Sequence, residues 1–307
     1  ALYGAGNGTW RELARVELDN PDFVGEGALT QVDIAPGRVW LALESGVGAH
    51  GGCFDLLSYD GNTLTDTLAT CHGSPAAAYI DDIDGNGVNE VIVNQTEDYV
   101  FCYACGVKLI NLQPLEWDGQ KFIARGLDKV DGSRPEAQAV NQAIEQASAG
   151  LWKDAQATLA QLPAATALDP QAAWDVGSIT LIASARADQA HSGAYPLIDN
   201  LFYGDYAAAL DTLRPLTPAE RFDPNGPLFI GTPADGWVDS FTYAITSTTD
   251  LVLAAQPDRP EALFLRGLAL ELSDPGSADA IAAIERASQL APDETLYSES
   301  LAYLKSK

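Results

Sequence analysis

Apolar and polar positions alternate in short bursts over residues 1–132 and recur at helical spacing over residues 133–307. Alternation places successive side chains on opposite faces of a strand. It predicts strands at Leu29–Ile34, Val39–Leu43, Phe54–Tyr59, Glu90–Val93 and Tyr99–Tyr103. Turn chemistry lies between them, in Ala35-Pro36-Gly37 and in two Asp-Gly steps set in matching contexts. Leu57-Ser-Tyr59-Asp60-Gly61-Asn62-Thr-Leu64 resembles Leu115-Glu-Trp117-Asp118-Gly119-Gln120-Lys-Phe122, with a fainter copy at Gly6-Asn7-Gly8-Thr9-Trp10. Asp-Gly supplies the positive φ angles of a type I′ hairpin. The matching turns predict repeated four-stranded units.

After Pro135 the period lengthens. Gly150-Leu-Trp152-Lys-Asp-Ala155-Gln-Ala-Thr-Leu159 and Gly204-Asp-Tyr206-Ala-Ala-Ala209-Leu-Asp-Thr-Leu213 share one pattern, Gly-x-aromatic-x-x-Ala-x-x-x-Leu. The glycine ends one helix, the aromatic wedges under the turn, and the alanine lets two helices approach closely. This resembles the turn and second helix of a tetratricopeptide (TPR) repeat. A third copy spans Pro260–Pro292, with Gly267 at the small position of its first helix and Ala280, Ile284 and Ala287 in its second. Its turn, Ser273–Ser277, lacks the aromatic. The resemblance implies a helical solenoid over most of 135–305, interrupted by extra helices around Pro170–Ala190 and Pro233–Ala255 and closed by a capping helix at 293–305. A generic alanine-rich domain of helical hairpins is the alternative.

Composition changes at the same place. Residues 1–132 hold 18 of the 27 glycines, all four cysteines and 13 alanines, whereas residues 133–307 hold 9 glycines and 35 alanines. The expected class is therefore a two-domain α+β chain, an antiparallel β-domain at 1–132 and an all-α domain at 133–307. Ser133, Pro135 and Glu136 predict the first helix start. The net charge of −26 excludes a nucleic-acid binder, which needs a basic face. That charge divides equally, 20 acids against 7 bases and then 23 against 10, so it marks a solvated coat rather than one binding face. No apolar run is long enough to span a membrane. The chain contains no Met and begins Ala-Leu-Tyr-Gly, which reads as a processed polypeptide.

The most informative motif is Asp82-Ile-Asp84-Gly-Asn86-Gly87-Val-Asn-Glu90, followed directly by apolar residues. A hard cation takes six to eight oxygens, and alternate loop residues turn Asp82, Asp84 and Asn86 inward. The Val88 carbonyl and Glu90 complete the expected ligand set, while apolar Val93 excludes an EF-hand. The motif resembles the Asp-x-Asp-Gly-Asp-Gly-x-x-Asp loop of FG-GAP/VCBS repeats, which are β-propeller blades. The resemblance implies Ca²⁺ held by Asp82, Asp84, Asn86, Val88 and Glu90. It covers about residues 55–125, too few for the four blades of a closed propeller. An Asx-turn hairpin without metal is the competing reading.

Cys53, Cys71, Cys102 and Cys105 predict structural disulfides, preferably Cys53–Cys71 and Cys102–Cys105, and so an extracytoplasmic chain. A zinc site or a Cys102–Cys105 redox pair are the rivals. His50, His72 and His191 read as loop or helix-end histidines, and no triad or His-Glu-x-x-His motif is present. The proline-stiffened stretch Arg214–Trp237 carries Phe222, Phe229 and Trp237, a partner-binding loop or a surface cover. The expected function is an extracytoplasmic protein–protein interaction or scaffold protein, not an enzyme, in a larger bacterial surface assembly. A carbohydrate-binding or hydrolytic accessory protein is the alternative.

Overall fold

The computed structural model describes residues 1–19, 22–49, 51–73, 76–96, 100–163 and 167–307. Among these residues the chain is a mixed α/β protein with ten helices and three small antiparallel sheets, none of them closed. It forms two compact units: 1–96 with 111–127 and 169–178, and 97–110 with 128–168 and 179–307.

The first unit contains all ten strands. β1 (Leu2–Gly6) and β2 (Thr9–Ala14) form a hairpin. β3 (Leu29–Val32), β4 (Val39–Val47), β5 (Gly51–Tyr59) and β6 (Leu64–His72) run as a meander. β7 (Ala78–Asp81), β8 (Glu90–Asn94), β9 (Leu112–Trp117) and β10 (Phe122–Ala124) form a second meander in the same up-and-down order. The two matching Asp-Gly turns occupy the same place in each, between the third and fourth strands.

Their geometry differs from the expected type I′ turn. Gly61 and Gly119 have positive φ, but the aspartates before them do not. Each aspartate instead accepts two backbone N–H groups across a four-residue loop. Asp60 Oδ1 takes Asn62 and Thr63 at 2.9 and 2.8 Å, and Asp118 Oδ1 takes Gln120 and Lys121, both at 2.8 Å. This Asx chemistry lets the aspartate keep an ordinary φ. Among the described residues, only Asn7-Gly8, at φ 53° and 77°, has two consecutive positive angles.

The meanders share a core in which Trp40, Phe54, Leu56, Val91 and Val93 are buried, with the Trp40 and Trp117 rings edge-on at 5.0 Å. Neighbouring strand residues face the opposite side of the sheet. There Asp55 is buried beside Asp66 of β6. Asp55 Oδ2 and Asp66 Oδ1 are buried without a hydrogen-bond partner. Cys53 and Cys71 are cross-strand neighbours on β5 and β6, and their disulfide is present, as is Cys102–Cys105.

The first unit also takes the start of α3 (Pro170–Ser192), capped by Asp169, whose Oδ1 accepts the Ala172 N–H at 2.9 Å. The second unit holds the remaining helices: α1 (Ala137–Ser148), α2 (Trp152–Leu159), α4 (Pro196–Tyr203), α5 (Tyr206–Asp211), α6 (Pro218–Arg221), α7 (Val238–Ala255), α8 (Pro260–Ser273), α9 (Ala278–Leu290) and α10 (Thr295–Ser306). The repeated motifs are helix corners. Gly150 and Gly204, at φ 78° and 82°, separate α1 from α2 and α4 from α5. Ala155, Ala209 and Tyr206 behind those corners are buried. A side chain at Gly267 would collide with Ile284, so α8 and α9 pack closely there.

Two expectations fail locally. Val100–Tyr103 forms no strand, and Tyr103–Cys105 is a single 3₁₀ turn closed by its disulfide; Tyr99 lies outside the described residues. The first helix begins at Ala137 with Glu136 at its cap, while Ser133 belongs to a turn in which Asp131 Oδ1 accepts its N–H at 3.0 Å.

The buried carboxyl pair makes the β-unit sensitive to pH. Burial, then the negative charge and contact of Asp66, push Asp55 up to about 6, and burial with the charge of Asp19 raises Asp66. A carboxyl raised above its unfolded value stabilises the fold at low pH, and that contribution fades as pH rises through its folded value. Asp55→Asn is therefore expected to gain stability relative to the wild type as pH rises from about 4 to about 6, by about 1–3 kcal/mol in urea melts. An offset that stays flat across that range contradicts the raised Asp55 carboxyl.

Candidate metal centre

The loop between β7 and β8 is built by its own side chains. Asp81 and Glu90 are paired across the two strands, so residues 82–89 must reverse the chain within one short connection. Asp82 Oδ1 accepts the N–H groups of Gly85 and Asn86 at 2.9 and 3.1 Å, and its Oδ2 accepts that of Gly87 at 2.9 Å. Gly85 and Gly87, at φ 73° and 83°, allow the sharp bends these bonds require. Asp84 Oδ1 accepts the Asn86 N–H at 3.1 Å.

Glu90 enters from the strand. It opens a run in which Val91 and Ile92 are wholly buried, and it is itself only 1% exposed. Its Oε2 accepts the Ile83 N–H at 3.0 Å. Burial pushes its carboxyl up to about 7 against the pull of that hydrogen bond, and Asp84, Asp82 and Glu116 add to the rise. Carboxylate oxygens of Asp82, Asp84 and Glu90 lie within 4.8 Å of one another, a group able to hold a metal ion. Three mutually repelling acids, one of them buried, form a site that a divalent cation would neutralise.

The other two expected ligands, Asn86 and Val88, are hydrogen-bonded within the loop. The Asn86 amide donates to Asp84 Oδ2 at 2.9 Å, and its carbonyl oxygen takes the Val88 N–H at 2.6 Å. Asn86 therefore closes the loop through its own hydrogen bonds. Val88 is exposed, and its N–H is the group engaged with the loop. The acidic trio is legible in the sequence, but the role of Ile83 is not, because an apolar residue between two aspartates carries no polar signal.

All four cysteines are in disulfides, so they form neither a zinc set nor a free thiol pair. His50 lies outside the described residues. In the second unit Phe222 and Phe229 are buried in the core, Phe229 edge-on to Phe241 at 5.0 Å. They fix the Arg214–Trp237 stretch in place and offer nothing to a partner at the surface. Trp237 is 42% exposed, in a recess of about 540 Å³ also lined by Asn225, Asp235 and Asp239. No helix among the described residues is long and apolar enough to cross a membrane. Comparison of the chain with known family models, characterised proteins and solved structures found no match.

Opposite burial gives the two aromatics different expected costs. Phe229→Ala should lower unfolding free energy by about 3–5 kcal/mol, whereas Trp237→Ala should change it by less than about 0.5 kcal/mol. Equal losses in denaturant titrations would contradict this placement.

Proposed function

We propose that this chain is an extracytoplasmic interaction or scaffold protein whose β-unit is braced by a bound divalent cation, Ca²⁺ by the chemistry of its donors. The observation that carries the reading is the convergence of Asp82, Asp84 and Glu90 within 4.8 Å, with Glu90 buried. Hard carboxylate oxygens without nitrogen or sulfur donors favour Ca²⁺ over a transition metal. Asn86 and the Val88 carbonyl would join the ligand set once the loop closes on an ion. Two four-stranded meanders in the same order support kinship with FG-GAP/VCBS repeats. Glycine-cornered helix pairs with small residues at their contacts support a TPR-like surface for a protein partner. Two disulfides favour a location outside the cytoplasm and a place in a larger surface assembly. On this reading the protein binds and positions, without chemistry of its own.

A second reading, carbohydrate binding, draws on one observation, the half-exposed Trp237 flanked by Asn225, Asp235 and Asp239. Glycan-array binding lost in Trp237→Ala would favour it.

Extracellular calcium modules bind with dissociation constants on the order of 10⁻⁴–10⁻³ M. Calcium at about 100 times that constant should add roughly 2.7 kcal/mol of stability. The melting temperature is therefore expected to rise by several degrees in calcium for the wild type, and not for Asp84→Ala. A wild-type melting curve that ignores calcium, with no heat of binding in calorimetry, overturns the metal reading.

A further inference from the structure

We propose that the first turns of α3 form the second wall of the cation loop, with Gly177 as a positioning residue that sets how Glu90 meets the ion. This rests on the metal reading above and adds to it a segment far away in sequence. Glycine inside a helix weakens it relative to alanine, so an interior glycine calls for a reason. At Gly177 the reason is a close approach. A side chain there would overlap the Ile83 carbonyl oxygen, with its Cβ 2.7 Å from the carbonyl carbon and 3.4 Å from the Asp84 nitrogen. Helix and loop meet backbone to backbone.

Ile83 lies between two of the candidate ligands, Asp82 and Asp84. Its N–H donates to Glu90 Oε2 at 3.0 Å while its carbonyl rests on Gly177. One residue thus ties the buried ligand to the helix. The helix is held by further contacts as well. Trp174 is buried beneath the Arg125 guanidinium, 4.8 Å from its ring. Arg125 donates to Gln171 Oε1 at 2.6 Å and to Glu116 Oε2 at 3.1 Å, and Gln171 donates to Asp175 Oδ1 at 2.9 Å. The helix cannot retreat from the loop without straining these bonds. A cation that draws the three carboxylates together must therefore move or stiffen Ile83 against α3, and any change in the helix surface at Gly177 must change affinity for the ion.

The test is hydrogen exchange on the full chain with and without calcium chloride, beside calorimetry of calcium binding. Calcium is expected to slow exchange of the 172–178 amides by ~10-fold along with the loop amides. Asp84→Asn should abolish both effects, and Gly177→Ala should weaken calcium binding by at least ~10-fold while keeping the helical circular-dichroism signal. If calcium binds and protects residues 82–90 but leaves 172–178 unchanged, or if Gly177→Ala binds as the wild type does, the coupling is wrong and the metal reading stands. If the wild type takes up no calcium, both fail. Should Gly177→Ala not fold, exchange in the wild type decides the question alone.

Discussion

A carboxyl group placed at the first residue of a fully buried strand is the constraint around which the β-unit is arranged. Val91 and Ile92 have no solvent exposure, and Glu90 enters the same core with 1%. A buried carboxylate is tolerated only when hydrogen bonds, a proton or a cation compensate it. The Ile83 N–H supplies one hydrogen bond. The Asp82 carboxylate is the same problem at the surface, solved by three backbone N–H groups of the loop. Together they leave a turn whose shape is set by its acids, with their remaining oxygens gathered at one point. The same sheet system hides a second carboxyl, Asp55, whose charged form burial and the neighbouring Asp66 both disfavour. Asp55 is therefore favoured by acid, whereas Glu90 lies in a group able to hold a metal ion.

Turns elsewhere follow one economy. Where the chain reverses in the meanders, Asp60 and Asp118 bind the N–H groups of their own loops. Where helices meet, Gly150 and Gly204 take left-handed angles that a side chain would resist. A side chain on Gly204 would also press on the Gly150 carbonyl and the Leu151 backbone, so the two corners rest directly on each other. Lys153 pairs with Asp205 across them at 2.7 Å. The repeated sequence motif is therefore more than a local signal, because its two copies are in contact.

Features governed by neighbours in sequence were legible beforehand. Strand β8, the hairpins at Asp60 and Asp118, the helix corners, both disulfide pairs and the acidic trio all depend on residues a few positions apart or on simple strand register. Features set by distant partners were not. Phe222 and Phe229 sit in a proline-rich stretch that reads as surface loop, yet both are drawn inward, Phe222 against Tyr303 of α10 and Phe229 against Phe241 of α7. Strand-like alternation at Val100–Tyr103 yields to a disulfide that closes a tight turn. The aspartates of the Asp-Gly turns keep ordinary φ because their side chains can cap the loop, a choice that dipeptide statistics do not register. Gly177 reads as an ordinary weak point in a helix until the Ile83 carbonyl is seen against it.

The overall charge of −26 bears on the acidic trio in a way that counting acids does not reveal. Exposed carboxylates spread over a surface are screened by salt beyond about 8 Å at physiological ionic strength, so most of the 43 act independently. Screening fails where water is excluded, and Glu90 is the member of the trio placed there. Its neighbours Asp82 and Asp84 repel it at short range. Burial of Glu90 therefore sets this cluster apart from the other surface acids, as a group able to hold a metal ion. Exposed carboxylates of the same number and spacing would have water and dissolved salt to satisfy them.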